Sequence, residues 1–196
     1  AVSAILCFWK LLRMTDIFDF KFRHLKMKKK YTLEIIRLGL PSGITQAIFS
    51  MAMVIVQSLT NSFGEMVIAA NVIIMRVDGF AMMPNFSFGT AMTTYAGQNV
   101  GAHRMDRVEQ GARQGTAIAL GTSAVITLLI LVFGKNLMAI FTDTSELVTL
   151  SANMMKILAV GYLAMAITQS LSGVMRGAGD TMTPMWISMI TTVVIR

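Results

Sequence analysis

Residues 38–64 read LGLPSGITQAIFSMAMVIVQSLTNSFG, a stretch from Leu38 to Gly64 without a single Asp, Glu, Lys or Arg. About 20 apolar residues in a helix cross the ~30 Å hydrocarbon core of a bilayer. Buried helices of soluble proteins are shorter and apolar on one side only. The pattern recurs at Gly79–Met92, which stays uncharged to His103, at Gln114–Gly134 and at Ile157–Met175. These runs predict four complete membrane helices at about 36–62, 66–95, 114–134 and 147–174. Residues 1–9 resemble the tail of a further helix, and 181–196 the truncated start of another. The expected fold is all-α, a polytopic transmembrane bundle. The first residue is Ala1, inside apolar sequence with no charged region before it, which makes a poor signal peptide. A fragment of a longer membrane protein is expected.

Composition agrees. Of 196 residues, 55% are hydrophobic and 14% charged, and mean hydropathy is +0.65. A soluble domain carries about a quarter charged residues, so a water-soluble enzyme and a disordered chain are both excluded. Cys7 is the single cysteine, and His24 and His103 are the two histidines. No disulfide framework, four-cysteine zinc site or histidine-rich metal site can be built from these. No nucleophile–base or paired-carboxylate set is visible, so no catalytic residue, metal or cofactor is expected.

The net charge of +7 is explained by topology. Lys and Arg in short loops mark the cytoplasmic side. Residues 10–35 begin with Lys10, Arg13, Lys21, Arg23, Lys26, Lys28, Lys29 and Lys30 against Asp16 and Asp19, and are read as a cytoplasmic linker. Asn61–Glu65 has no base and faces outside. Arg104, Arg107 and Arg113 return the chain inside, Asp143 and Glu146 outweigh Lys135 outside, and Arg176 lies inside again. The basic excess is what membrane topology requires, so nucleic acid is not an expected partner. The lipid bilayer is, with the inner (plasma) membrane as the location.

The loops carry distinct punctuation. GQNVGA at 97–102 closes one span before an amphipathic stretch, His103–Arg113, expected at the interface. RGAGDT at 176–181 forms a tight turn in which a glycine takes positive φ and Asp180 or Thr181 caps the next helix. Pro84 lies inside a span and frees the carbonyl of Phe80. Pro41 and Pro184 fall near predicted helix starts, where proline is better tolerated.

Polar residues inside the spans form stripes. At 100° per residue, Gln46, Ser50, Gln57 and Asn61 lie within about 60°. Unpartnered amides in lipid cost several kcal/mol, so the stripe turns inward, either bonding between helices or lining a wet cavity. Asn71, Met75, Asp78, Met82, Asn85 and Gly89 share a second face within about 80°. An intramembrane carboxylate marks an ion or substrate path by default. Alternatively, Asp78 is a structural partner of a base such as Lys156, since Arg76 lies about 160° round the same helix. Of the 18 methionines, Met75 and Met82 flank Asp78 and suit a surface that re-packs around varied ligands.

The order of Leu38-Gly39-Leu40-Pro41-Ser42-Gly43, Glu65 through Ala69-Ala70-Asn71, the 97–102 element and Gly173 through the 176–181 element resembles the second half of the multidrug and toxic compound extrusion (MATE) family. The resemblance implies twelve helices in two lobes and a central cleft with alternating access. It also implies export of organic cations or drugs in exchange for Na⁺ or H⁺. Residues 10–35 would link the lobes, 36–196 would be a partial C-terminal lobe, and the N-terminal lobe would be the missing partner. Some members carry acids within the seventh and tenth helices. The matching stretches, 36–62 and 147–174, have none in their interiors, since Glu34 lies at the mouth of the first. Coupling is therefore expected at Asp78 or in the missing lobe. Two alternatives are a lipid-linked precursor or polysaccharide flippase, whose cleft would need Arg76 and Lys156 both facing it, and a non-transporting membrane scaffold.

Overall fold

The computed structural model describes residues 2–13 and 28–193. The basic residues Lys21, Arg23 and Lys26 of the expected linker, together with Ala1 and 194–196, lie outside the described residues. Among the described residues there are six helices: α1 (Val2–Arg13), α2 (Lys29–Asn61), α3 (Glu65–Gly101), α4 (Met105–Ala139), α5 (Ser145–Gly177) and α6 (Met182–Val193). No strand occurs among the described residues. α2, α3, α4 and α5 are each long and apolar enough to cross a membrane.

The helices outrun the apolar runs that predict them. α4 starts at Met105 rather than near 114, so the amphipathic stretch His103–Arg113 is a turn followed by the first turns of α4. α2 starts at Lys29 rather than 36, which makes the end of the expected linker helical. The reason is that Lys, Arg, Glu and Gln are good helix formers. A bilayer limits where apolar residues are needed, not where the helix ends. Pro41 is consequently inside α2 and buried, not near its start.

Residues 1–37 and 38–196 form two compact units. In the first, Arg13 of α1 lies 3.9 Å over the ring of Trp9, one turn back. The boundary coincides with Arg37, whose carbonyl loses its helical donor because Pro41 has no N–H.

In the second unit α3, α4 and α5 pack around Ile73, Ile74, Val77, Ala81, Ile130, Met138, Ala152, Met155, Ala159 and Tyr162. α3 and α5 run in the same direction in one register. Asp78 meets Tyr162 at a separation of 84 residues, and Gly89 meets Gly173, and Thr93 Gly177, at the same offset. A Cβ on Gly173 would collide with the carbonyl oxygen of Gly89, and one on Gly177 with that of Thr93. Small residues at such crossings let membrane helices approach without a water-driven hydrophobic effect. α4 runs back between them: Ser123 bonds Asn85 and Thr127 bonds the carbonyl of Ala159 at 3.0 Å. Outward faces are apolar, with Phe80 76% and Ile157 79% exposed, as suits side chains that meet lipid.

Both turns of the bundle end resolve the loop motifs. GQNVG forms the last turn of α3, and His103 takes φ 56 in the reversal before α4. After α5, Gly179 takes φ 90, and Asp180 Oδ1 accepts the backbone N–H of Thr183 at 3.0 Å. Asp180, not Thr181, is therefore the cap of α6. Hydrogen bonding from Thr183 holds its carboxyl below the ordinary carboxylate range.

Candidate functional site: a cleft beside α3 and α5

Asp78 stands about 20 Å along α3 from its start and is half-buried. Its Oδ1 accepts the phenolic hydrogen bond of Tyr162 at 2.7 Å. No ion pair joins it to Arg76 or Lys156 among the described residues, and both bases are exposed. The sequence offers Lys156 as an example of a base on a neighbouring helix. Helix geometry removes it. Met155 and Tyr162, seven residues apart, share the face of α5 that meets α3, and Lys156 is turned about 100° away.

The second polar face divides into an inner and an outer part. Asn85 is 1% exposed. Its Oδ1 accepts from Ser123 at 2.7 Å and its Nδ2 reaches the Tyr162 carbonyl at 3.5 Å, so it ties α3 to α4 and α5. Asn71 donates to Gln57 Oε1 on α2 at 3.4 Å and lies 3.8 Å from the sulfur of Met75. Gln57 in turn donates to Asn61 at 3.0 Å. Met75 is exposed, and Met82 packs on the core.

Further along the same helices a cleft of about 630 Å³ opens between α2, α3, α5 and α6. Gln46 lines it, whereas Ser50, Gln57, Asn71 and Asp78 do not. The walls carry Thr45, Phe49, Phe86, Thr90, Thr93, Thr94, Thr168, Gln169, Ser172, Arg176, Ser188 and Thr191, among others. Neither Arg76 nor Lys156 is part of it, against the expectation for a pyrophosphate-holding flippase. Most of these hydroxyls already donate to the carbonyl four residues back, as Thr45 does to Pro41 and Thr93 to Gly89, each at 2.9 Å. Toward the cleft they offer oxygen lone pairs. Gln46, Gln169 and Arg176 supply donors.

Sequence reading singles out neither Tyr162 nor most of this wall. Thr90, Thr93 and Thr94 stand at i, i+3 and i+4, and Met165, Thr168, Gln169, Ser172 and Arg176 continue the same spacing on α5, a signal that is present in the sequence. Tyr162 is paired only through the long-range register and has no local signal.

Among the described residues no cluster of His, Cys, Asp and Glu could hold a metal ion.

The chain matches the MatE family model over residues 41–196. It is 30% identical over 166 residues to the probable multidrug resistance protein YoeA of Bacillus subtilis, covering 85% of this chain and 36% of that protein. It is 28% identical to the probable multidrug resistance protein NorM of Thermotoga maritima, covering 81% of this chain and 34% of that protein. A MATE crystal structure in the straight conformation superimposes with a TM-score of 0.86 at 20% identity, covering 98% of this chain and 43% of that one. The chain thus spans about a third of the length of the curated relatives it matches. On the family match, the chain belongs to the MatE family, whose members are membrane transporters and not enzymes.

Proposed function

We propose that the complete protein exports organic cations or drugs by alternating access, in exchange for H⁺ or Na⁺, with Asp78 as a coupling group. The observation that carries this reading is the half-buried carboxylate of Asp78, held by Tyr162 at 2.7 Å in a membrane-length helix. A carboxylate is costly in such a place and marks an ion or substrate path by default. In an open state Asp78 faces water and binds the coupling ion, and closure of the lobes around it links ion exchange to substrate release. Tyr162 positions the carboxylate through one hydrogen bond.

The cleft supports the substrate class. Hydroxyl and amide oxygens, with Phe49 and Phe86, can surround an ammonium-bearing aromatic molecule without a fixed carboxylate. The multidrug-resistance names of the relatives point the same way. The missing N-terminal lobe supplies the opposite wall. By the rule that basic loops stay inside, Arg104, Arg107 and Arg176 point to the cytoplasmic side, so the Arg176 end of the cleft is read as facing it.

The test is efflux of a fluorescent cation by the full-length protein in vesicles, with the Na⁺ and pH gradients imposed separately. Efflux driven by either gradient supports the exchange. Efflux driven by neither, with the protein correctly inserted, rejects it.

A further inference from the structure

A second groove, of about 610 Å³, runs along α3 alone, lined by Gly79, Met83, Phe86, Ser87, Thr90 and Ala91. Phe86 and Thr90 also line the cleft, so the two run together over the edge of α3. At 100° per residue, Arg76, Gly79, Met83, Ser87 and Thr90 fall within about 80°, on the face opposite the buried Ile74 and Asn85. Arg76 is exposed, and its guanidinium has no ion pair or hydrogen bond among the described residues. Asp78 is turned about 160° away on the same helix and takes Tyr162 instead. A guanidinium within a membrane span has to meet water, a phosphate or a carboxylate. The rest of this face suits another helix. Gly79 has nothing within 4 Å of its Cβ position, which leaves room for close approach. Ser87 and Thr90 donate back to the carbonyls of Met83 and Phe86, each at 3.0 Å. Pro84 leaves the Phe80 carbonyl without its helical N–H, and lipid supplies no substitute.

We propose that this face of α3 seats a helix of the facing lobe, and that Arg76 pairs there with a carboxylate of that lobe and holds the outer side of the cleft shut. The occupant follows from two observations. The chain spans about a third of the length of its curated relatives, which leaves the larger part to cover the groove. The groove also continues into the cleft, whose opposite wall is that lobe in the function proposed above. The inference rests on that reading and adds the device that closes one side. Asn61–Glu65, before α3, has no base, whereas Arg104 and Arg107 follow it, so the start of α3 is read as the outer end. Arg76 is about 17 Å from that end and about 38 Å from the other. A planar guanidinium takes a carboxylate bidentately. The pair forms only when the lobes meet on the outer side, so it favours that state over the one in which they part.

The experiment uses the full-length protein in phosphatidylcholine vesicles, with its native cysteines replaced and Met83→Cys as a reporter thiol in the groove. A membrane-impermeant sulfonated maleimide is added from the outer side, and the labelling rate is read. With Arg76 present labelling is slow. Arg76→Gln raises the rate about tenfold, and Arg76→Lys, which keeps the charge and loses the fork, raises it less. Arg76→Glu also raises it, and reversing one carboxylate of the facing lobe to Arg, found by reversing each in turn, restores protection. A rate unchanged in every Arg76 variant, or no reversal that restores it, overturns the proposal. So does a rate that responds to added phosphatidylglycerol and to no reversal, which assigns Arg76 to a lipid phosphate. If Arg76→Gln does not fold, Arg76→Lys and the reversal decide. The readout needs neither gradient nor substrate. Protection with rescue but without driven efflux keeps the ion pair and rejects the exporter, while driven efflux without rescue does the reverse.

Discussion

Tyr162 of α5 donates a 2.7 Å hydrogen bond to Asp78 of α3, and its own main-chain carbonyl accepts from Asn85 of α3 at 3.5 Å. One residue thus ties α5 to α3 at two levels, once at the edge of the bundle and once inside it. In lipid, interhelical hydrogen bonds average about 0.6 kcal/mol, and bonds to a charged group run higher, at about 1.5–3 kcal/mol. A double-mutant cycle of Asp78→Asn and Tyr162→Phe, read from unfolding of the full-length protein in detergent, should give a coupling of about 1 kcal/mol or more. Additive losses would show that the bond does not persist in the folded protein.

Asn85 should behave as a structural residue despite sharing the helical face of Asp78. Asn85→Ala leaves the hydroxyl of Ser123 buried without its acceptor, a loss of about 1–3 kcal/mol. Adding Ser123→Ala should then cost less than Ser123→Ala does in the wild type. Thermal unfolding of the three variants checks this, and an Asn85→Ala protein of normal stability would contradict it.

The crossing of α3 and α5 should refuse a methyl group. At Gly173 a Cβ meets the backbone carbonyl of Gly89, which cannot swing aside. Gly173→Ala should therefore lose about 1–3 kcal/mol, the usual range for overpacking. Gly161 lies on the same helix with nothing within 4 Å of its Cβ position. Gly161→Ala should be neutral or stabilising by up to about 1 kcal/mol. Equal melting temperatures for the two variants would count against the packing described.

How much of this was readable in advance depends on range. Four spans were legible because a bilayer demands uncharged runs and the chain supplies them at Leu38, Gly79, Gln114 and Ile157. Their ends were not, because Lys29 and Met105 extend helices that the bilayer no longer constrains. The capped turn was legible as far as Asp180 or Thr181, because a glycine with positive φ and a short polar side chain are local devices, and the structure chooses Asp180. The partner of Asp78 was not. The sequence offered Lys156 as a base on a neighbouring helix, whereas the choice is made by the register of two helices 84 residues apart. Asn85 and Asp78 share a stripe at 100° per residue, yet α4 arrives on one side only and buries the amide while leaving the acid half open.

The Asp180 cap carries a pH dependence. Thr183 lowers the folded-state affinity of its carboxyl for a proton. A depressed folded value means the contribution is complete above the ordinary carboxylate range near 4 and is lost as pH falls through the lower folded value. The melting-temperature gap between wild type and Asp180→Ala should be constant from about pH 8 to 5 and shrink below about pH 4. A gap that widens on acidification would mean that the cap does not act through its charged form.

The most direct measurement is gradient-driven efflux of a fluorescent cation by the full-length protein carrying Asp78→Asn, at wild-type expression and with Tyr162→Phe alongside. Asn keeps the size of the side chain and removes its titration, so driven efflux should fall to background, while Tyr162→Phe, which leaves the carboxylate in place, should retain part of it. Normal driven efflux by Asp78→Asn would contradict the account and remove Asp78 from the coupling.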